Sequence, residues 1–318
     1  MGASLGFLLP MLGIFAAVAI VFFVAERIDP ARTQKVFRKG FLTDLLYCIS
    51  SVAIRAVMTG VVAIGFTEFG RRFLPEYSIG VLRDQPVWIQ AVSIIFVFDL
   101  IFYVLHRAKH HWRWLWRLHE THHSSEEMDW FSSVRFHPLE KLLDRSIYLF
   151  PLLFLGVSAP ALLILAAFDA TIASFSHANL NWRIGPLIYV FVGPEMHRWH
   201  HSSNPRHQRC NFGNNLSIFD WIFGTAFVSR DTPVSFGLGN PRFPEGSFVR
   251  QFLYAFRPFP KWRAPAAADR PSATNRSPWI GPRRRRGAED TGLVSEAIGC
   301  PFRPAQSRPG EDRNGVES

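Results

Sequence analysis

The amino-acid sequence predicts an all-α integral membrane protein, with about four transmembrane helical segments and a cytosolic histidine-rich helical cap that holds a di-metal site. Two observations predict this fold. Apolar residues make up 48% of the 318 positions, and they are concentrated in runs of about twenty residues, the length of a membrane-spanning helix. In addition, nine of the twelve histidines fall in two short stretches, residues 106–123 and 197–201.

Three apolar runs precede the first histidine stretch. Residues 5–24 contain no charged side chain. They also lack the basic start and the small-residue cleavage site of a signal peptide, so we expect a membrane anchor. The second run, residues 41–66, is interrupted by Asp44 and Arg55, and the third covers residues 86–105. Each run is long enough to cross the bilayer as a helix.

A fourth apolar run, residues 147–176, lies between the two histidine stretches and is interrupted by Gly156 and Pro160. Because proline ends or kinks a helix, we expect either a bent helix or a tight helical hairpin here. The chain would then cross the membrane four times, or three times with a returning hairpin.

The distribution of basic residues predicts the orientation of these segments. The loop after the first run is rich in arginine and lysine, whereas the loop after the second run has fewer of them. The positive-inside rule therefore places the N-terminus outside. With this orientation, both histidine stretches lie on the cytosolic side of the membrane.

We assign residues 1–255 to one membrane-embedded domain. From residue 256 onward the composition changes to proline, arginine, alanine and serine without an apolar period, so residues 256–318 are predicted to form a disordered tail. The tail contributes part of the net charge of +10. No aromatic pattern or fold motif accompanies that charge, so we do not expect a nucleic-acid partner.

The spacing of the histidines indicates a metal site. Residues three and four apart lie on one face of a helix. The spacing therefore groups His106 with His110, His119 with His122 and His123, and His197 with His200 and His201. Adjacent histidines diverge by about 100° on a helix, so such a pair can serve two metals. Because one metal takes three or four protein ligands, this many histidines can fill two coordination spheres.

His110 and His111 are neighbours that the helical geometry separates. If the third apolar run continues as a helix, His110 lies about 40° around the axis from His106 and His111 lies about 140° away. We therefore expect His110 to share a metal with His106, and we do not expect this of His111.

Asp99 is a candidate for orienting a metal ligand. It lies seven residues before His106 on the same predicted helix face, where a carboxylate can fix the direction of an imidazole ring. Two alternatives remain open for Asp99, a buried pair with Arg55 and a bond to a backbone group.

Two of the three histidines outside the stretches are further candidates. His137 precedes Pro138, and it could be a ligand, a contact to the substrate or the first residue of a helix. His177 follows the fourth apolar run, so the predicted topology brings it beside the two histidine stretches as an additional ligand.

These motifs resemble the membrane-bound fatty acid hydroxylase and sterol desaturase superfamily over residues 99–225. The resembling segments are the HxxxH of His106 and His110, HETHHS, HRWHHS, DW, RFHPLE, SHANL and NFGNNLSIFDWIFGT. The resemblance implies a centre of two iron ions at the cytosolic membrane face. The metal ligands carried over by position are His106, His110, His119, His122, His123, His177, His197, His200 and His201.

The chain departs from this family at one position. Some members have a further histidine four residues after the one that matches His177, and here that position is Asn181. Asn181 could act through a bound water molecule, or this ligand could be missing.

The resemblance also implies the chemistry. Two adjacent redox metals with open positions can reduce O2 to an oxidant for a C–H bond, and a site at the bilayer face suits a membrane lipid, either a sterol or a fatty acyl chain. The sequence does not decide between hydroxylation and desaturation. Because it contains neither GxGxxG nor a P-loop, the electrons are expected from a separate donor.

Two other classes of protein fit part of the pattern. HETHH also matches the HExxH of a membrane zinc protease, with Glu120 as the general base, but a protease would use only a few of the clustered histidines. A non-enzymatic metal carrier or a haem protein would need ligands inside the bilayer, and the three leading apolar runs contain no histidine.

Overall fold

The computed structural model describes residues 2–73, 80–229 and 231–258. Residues 259–318, which make up most of the predicted tail, lie outside the described residues. The described residues form helices joined by loops, without a β-strand, in agreement with the predicted all-α class. The α-helices are α1 (Gly2–Ile28), α2 (Phe41–Phe73), α3 (Val87–His111), α4 (Arg113–His119), α5 (Pro138–Leu155), α6 (Ala159–His177), α7 (Pro194–His200), α8 (Ile218–Ile222) and α9 (Phe248–Tyr254).

Three of these helices have the length and composition to cross a membrane. Within the described residues, these segments are Leu9–Ile28 in α1, Val87–His111 in α3 and Ala159–His177 in α6. They expose apolar side chains, such as Ile20 at 65% and Val92 at 61%, a surface that suits lipid better than water. The second predicted span is helical, but its described apolar part, Phe41–Ile54, is shorter.

The fourth apolar run forms a helical hairpin rather than a bent helix. α5 ends at Leu155, α6 begins at Ala159, and Gly156 between them has a φ of 65°. Glycine adopts this left-handed conformation without steric cost. A side chain at Gly156 would also collide with the backbone of Gly80, so the turn needs glycine for two reasons.

Helix packing brings the histidine-bearing ends together. α6 contacts α1, α3 and α7, while α2 packs along α5. Ile94 and Phe98 of α3 are buried against Tyr148 of α5 and Leu165 of α6. Since this core fixes α3 against the hairpin, the last turn of α3 and the last residue of α6 lie at one end of the bundle.

Candidate metal centre

Nine histidines form two adjoining groups, and within each group one ring nitrogen per residue lies within 4.8 Å of the others. We call them the five-histidine cluster and the four-histidine cluster. The first contains His106, His110, His119, His123 and His200, and the second contains His122, His177, His197 and His201. All nine histidines selected from the sequence are thus brought together, with enough nitrogens in each cluster to ligate one metal ion.

Adjacent histidines divide between the clusters. His123 and His200 belong to the five-histidine cluster, and His122 and His201 to the four-histidine cluster. The ring planes are 87° apart for His122 and His123 and 85° apart for His200 and His201. The sequence predicted that such pairs could serve two metals.

The divergence of His122 and His123 has a different local cause from the one expected. α4 ends at His119, and His122–Ser124 is a 3₁₀ helix, so the assumption of a continuous α-helix through this box is wrong. A 3₁₀ helix has about three residues per turn, which rotates successive side chains by more than an α-helix does. The tighter turn therefore separates the two rings.

The helical argument holds for His110 and His111. α3 continues to His111, as the angular argument required. The ring of His110 lies 5.1 Å from that of His106 and 4.9 Å from that of His119, centroid to centroid. His111 is exposed on another side of the helix, outside both clusters.

Main-chain carbonyl oxygens orient four of the rings. His106 Nδ1 donates to the carbonyl of Phe212 at 2.8 Å, and His200 Nδ1 donates to that of Cys210 at 2.7 Å. In the four-histidine cluster, His122 Nδ1 donates to the Arg135 carbonyl at 3.1 Å and His177 Nδ1 to the Ala173 carbonyl at 2.8 Å. Because a carbonyl oxygen only accepts, each Nδ1 carries the proton and each Nε2 keeps a lone pair.

The freed lone pairs face one another. His106 Nε2 and His200 Nε2 lie 3.0 Å apart, and His122 Nε2 and His177 Nε2 lie 3.4 Å apart. Two hydrogen-bond acceptors at this distance repel each other, and a shared cation would turn the repulsion into attraction. Both clusters therefore present their nitrogens in the manner of a metal site.

Buried nitrogens without hydrogen-bond partners give a second test of the fit to metal. Among the described residues, His119 Nε2, His110 Nε2 and both ring nitrogens of His123 are buried without a partner. An unsatisfied buried polar atom costs about 1–3 kcal/mol. Coordination to a metal ion would satisfy these atoms. The clustered histidines therefore fit the pair of metal ions that the family resemblance implies.

Burial favours the neutral form of the cluster histidines outside the membrane-spanning segments, because it lowers their pKa. Burial, reinforced by neighbouring imidazoles, holds the pKa of His122 and His123 well below the usual value. Burial lowers the pKa of His200 to about 3. Metal binding requires the neutral form of imidazole, so burial keeps these side chains ready to bind metal.

A buried carboxylate supports the five-histidine cluster. Glu140 Oε1 accepts from His119 Nδ1 at 2.7 Å and from Lys109 Nζ at 2.8 Å. Lys109 also bonds to Asp144 at 2.8 Å. Burial alone would raise the pKa of Glu140, but the Lys109 ammonium and His119 lower it below its usual value. A charged Glu140 fixes the tautomer of His119 and makes its ring a stronger ligand. No role for Glu140 was predicted from the sequence.

The segment after the second histidine stretch positions two of the carbonyls. Asp220 accepts from the backbone N–H groups of Phe212 and Gly213, both at 2.8 Å. Asn211, at a φ of 60°, donates to the carbonyls of Met196 and Phe227. Phe212 of this segment packs with Tyr103, and the segment also sets the carbonyls that orient His106 and His200.

A buried ion-pair network holds the loop behind His122. Arg38 bonds to Asp129 at 2.6 and 2.7 Å and to Asp44 at 2.6 Å, and Asp44 also pairs with Arg135. Because the Arg135 carbonyl orients His122, the network links the start of α2 to the four-histidine cluster. Asp44, which interrupts the second apolar run, thus has a structural partner.

Asp99 does not orient His106. Its Oδ1 accepts from the backbone N–H of Asn215 at 3.0 Å, while His106 Nδ1 donates to the Phe212 carbonyl. Of the two alternatives considered for Asp99, the bond to a backbone group is the one observed. The side chain of Arg55, the other partner considered, lies outside the described residues.

His137 and Asn181 lie outside both clusters. His137 caps the start of α5, where its Nδ1 accepts from the Leu139 backbone N–H at 3.2 Å, so it is the helix-start residue among the three roles considered. Asn181 is exposed, and its backbone N–H donates to Asp29. The exposed side chain of Asn181 thus contrasts with the buried histidines of the four-histidine cluster.

A cavity of about 200 Å³ reaches both clusters from between α1, α2, α3, α5 and α6. Its apolar lining includes Phe15 of α1, Val52 of α2 and Phe102 of α3. The histidines that line it are His106, His122, His177 and His197. A space of this kind can hold part of an acyl chain beside the clusters.

A known protein family matches the part of the chain that forms the two clusters. A model of the fatty acid hydroxylase family matches residues 91–225. This region belongs to the fatty acid hydroxylase family. The family predicted from the motifs is thus confirmed, and the fatty acid hydroxylase region contains every histidine of both clusters.

Several curated relatives share this fatty acid hydroxylase region. Ornithine lipid hydroxylase OlsE of Rhizobium tropici is 34% identical over 174 residues, which cover 54% of this chain and 52% of the relative. Alkylglycerol monooxygenase of Xenopus tropicalis is 28% identical over 206 residues, 64% of this chain and 45% of the relative. A putative methylsterol monooxygenase of Dictyostelium discoideum is 27% identical over 148 residues, which cover 46% of this chain and 53% of the relative.

The chain therefore spans about half the length of the curated relatives that it matches. No solved structure matches it.

Proposed function

We propose that this chain is a di-iron oxidoreductase that uses O2 to hydroxylate a membrane lipid. The observation that carries the proposal is the pair of adjoining clusters of buried imidazoles, open to a cavity between apolar helices. Lipid chains can enter such a cavity sideways without leaving the hydrocarbon layer.

The proposed metal is iron, two ions per chain. Imidazole ligands suit iron, zinc and copper alike, but the relatives are named hydroxylases and monooxygenases, which favours a redox metal over zinc. When bound, the iron pair would supply the O2-reducing chemistry that oxidises an unactivated C–H bond. The nine clustered histidines would hold it.

The residues of the chain have three roles in this proposal. The carbonyls of Phe212, Cys210, Arg135 and Ala173 keep the Nδ1 protons of four ligands away from the metal side. The apolar side chains that line the cavity exclude water from the reacting carbon. Glu140 places a negative charge beside His119, which offsets part of the positive charge of a bound metal.

Hydroxylation is preferred to desaturation because of the relatives' names, which describe oxygen insertion. Converting C–H to C–OH with O2 consumes two electrons and two protons and releases water. The sequence contains no dinucleotide-binding motif, so a separate protein or small carrier would supply the electrons. With the N-terminus outside, the clusters face the cytosol, where such donors are available.

The zinc protease alternative receives no support from Glu120. In HExxH enzymes the glutamate faces the metal-bound water, whereas the Glu120 carboxylate is paired with Arg257. A haem would need two opposed histidines, whereas here nine lie in two adjoining groups.

The proposal can be tested by following oxygen into lipid. Cells that express the wild-type chain are grown under ¹⁸O2, and total lipids are compared by mass spectrometry with those of cells that express His110→Ala. We expect a lipid with one ¹⁸O atom in wild-type cells and in cells with the matched control His111→Ala, but not with His110→Ala. A lipid change without ¹⁸O would rule out oxygenation.

A further inference from the structure

One wall of the cavity is charged. Lys141 and Arg145 lie one helical turn apart on α5, and both line the cavity that reaches the histidine clusters. Residues at this spacing share a helix face. The two cations are therefore presented together to whatever occupies the cavity.

The nearby carboxylates are bonded to other groups. Asp144, between the two cations in sequence, lines the cavity as well but bonds to Lys109 at 2.8 Å. Asp169 of α6 also lines the cavity and accepts from Asn214 Nδ2 at 2.7 Å. Neither Lys141 nor Arg145 forms a salt bridge with a carboxylate of the described residues.

Lys141 is also close to the four-histidine cluster. Its ammonium lies 3.4 Å from the ring centroid of Phe136, and Phe136 stacks on His122 with a centroid distance of 4.2 Å. One aromatic ring thus separates this cation from a candidate metal ligand. A cation–π contact compensates an ammonium only in part. Burial, followed by the charge of Arg145, lowers the pKa of Lys141 to about 8.

We infer that Lys141 and Arg145 form a subsite for an anionic lipid headgroup, a phosphate or a carboxylate, with the acyl chain in the apolar part of the cavity. This inference rests on the proposed lipid substrate. Long cationic side chains near a membrane surface commonly extend towards water, but these two line an internal cavity. An anion would form charge-assisted hydrogen bonds with both.

Binding measured without turnover tests the inference separately from the hydroxylase proposal. Full-length protein in a non-ionic detergent is equilibrated anaerobically with radiolabelled hexadecyl phosphate, and unlabelled competitors with the same chain are compared. We expect hexadecyl phosphate and hexadecanoate to compete at least about tenfold better than hexadecanol, because their anionic groups gain charge-assisted hydrogen bonds to the two cations. Equal competition by hexadecanol would overturn the inference.

Substitutions test whether Lys141 and Arg145 cause the preference for anionic competitors. Lys141→Gln with Arg145→Gln should remove the preference for anions, whereas Lys141→Arg with Arg145→Lys should keep it. Arg242→Gln, which alters an exposed cation outside the cavity lining, is the matched control and should bind like the wild type. A glutamine variant that is monodisperse and still prefers anions would overturn the inference.

Inorganic phosphate is included as a competitor without a chain. It should compete far less well than hexadecyl phosphate, because it lacks the chain that fills the apolar part of the cavity. If both competed equally, the pair would bind a free anion, and the headgroup assignment would be wrong.

Discussion

The two histidine clusters differ in their surroundings. In the five-histidine cluster, His119 bonds to Glu140, which is held by Lys109. In the four-histidine cluster, His122 and His177 donate to the main-chain carbonyls of Arg135 and Ala173, and His177 Nδ1 also lies 3.3 Å from Ser176 Oγ. Carbonyls thus orient rings in both clusters, but a carboxylate bonded to a ligand ring is observed in the five-histidine cluster.

The clusters also differ in their access to the cavity. Three residues of the four-histidine cluster line it, namely His122, His177 and His197, but only His106 does so from the five-histidine cluster. A metal centre that binds substrate or O2 needs open coordination positions. We therefore expect the five-histidine cluster to hold its metal more firmly and the four-histidine cluster to meet O2 and the lipid.

The largest effect expected is the loss of a ligand. His110→Ala should abolish turnover and lower the metal content, because His110 lies inside the five-histidine cluster, whereas His111→Ala should keep most of both. Activity and bound metal are measured in the two variants in parallel. Equal losses, or a larger loss in His111→Ala, would break the ligand assignment.

The second prediction concerns the number of metal ions. Protein purified from iron-supplied cells should contain two metal ions per chain, and His201→Ala should reduce the value to about one by disrupting only the four-histidine cluster. Elemental analysis with protein quantification measures the ratio. A reproducible value of one or less in folded wild-type protein would show that the clusters do not each hold a metal.

The third prediction sharpens the contrast in charged support. Glu140→Gln should weaken metal binding at the five-histidine cluster by about 10- to 100-fold, the usual cost of losing a partner that orients a ligand, and leave the other cluster nearly unchanged. Chelator titration, which resolves the two metals, measures this. Glu126→Gln, at an exposed carboxylate, is the control. Equal weakening at both clusters would contradict the difference in support.

The smallest effect is expected from Glu120→Gln. Glu120 pairs with the half-exposed Arg257 rather than facing a cluster, so the change should cost about 1 kcal/mol of stability and leave metal content and turnover largely intact. Thermal unfolding and an activity assay measure the two effects. Complete loss of activity at unchanged metal content would instead indicate hydrolysis with Glu120 as base.

Local sequence patterns predicted much of the fold and of the histidine set. Apolar runs predicted α1, α3 and the interruption at Gly156, because hydrophobic length and glycine act within a single segment. Helical spacing distinguished His110 from His111 for the same reason. These features depend on residues within a turn or two of one another.

The partners that orient the rings could not be predicted in this way. The Phe212 carbonyl is 106 residues from His106, and no periodicity links them. Asp99 shows the same limit, since its spacing from His106 was suitable but tertiary packing gave it the Asn215 backbone instead. The sequence offers one signal for Glu140, namely that an acidic residue ends the motif RFHPLE. This signal does not indicate which ring the carboxylate contacts.

The main-chain carbonyls that orient four ligands have a consequence for engineering. An oxygen of the backbone remains in place when the side chain of the same residue is changed, so replacements at Ala173 or Cys210 should leave the protonation pattern of His177 and His200 intact. A one-residue insertion or a proline beside Ala173 in α6, or in the loop that contains Cys210, would move the oxygen without replacing any histidine. Libraries intended to alter the substrate range could therefore vary the side chain of Ala173, which lines the cavity, provided that the length of α6 is kept constant.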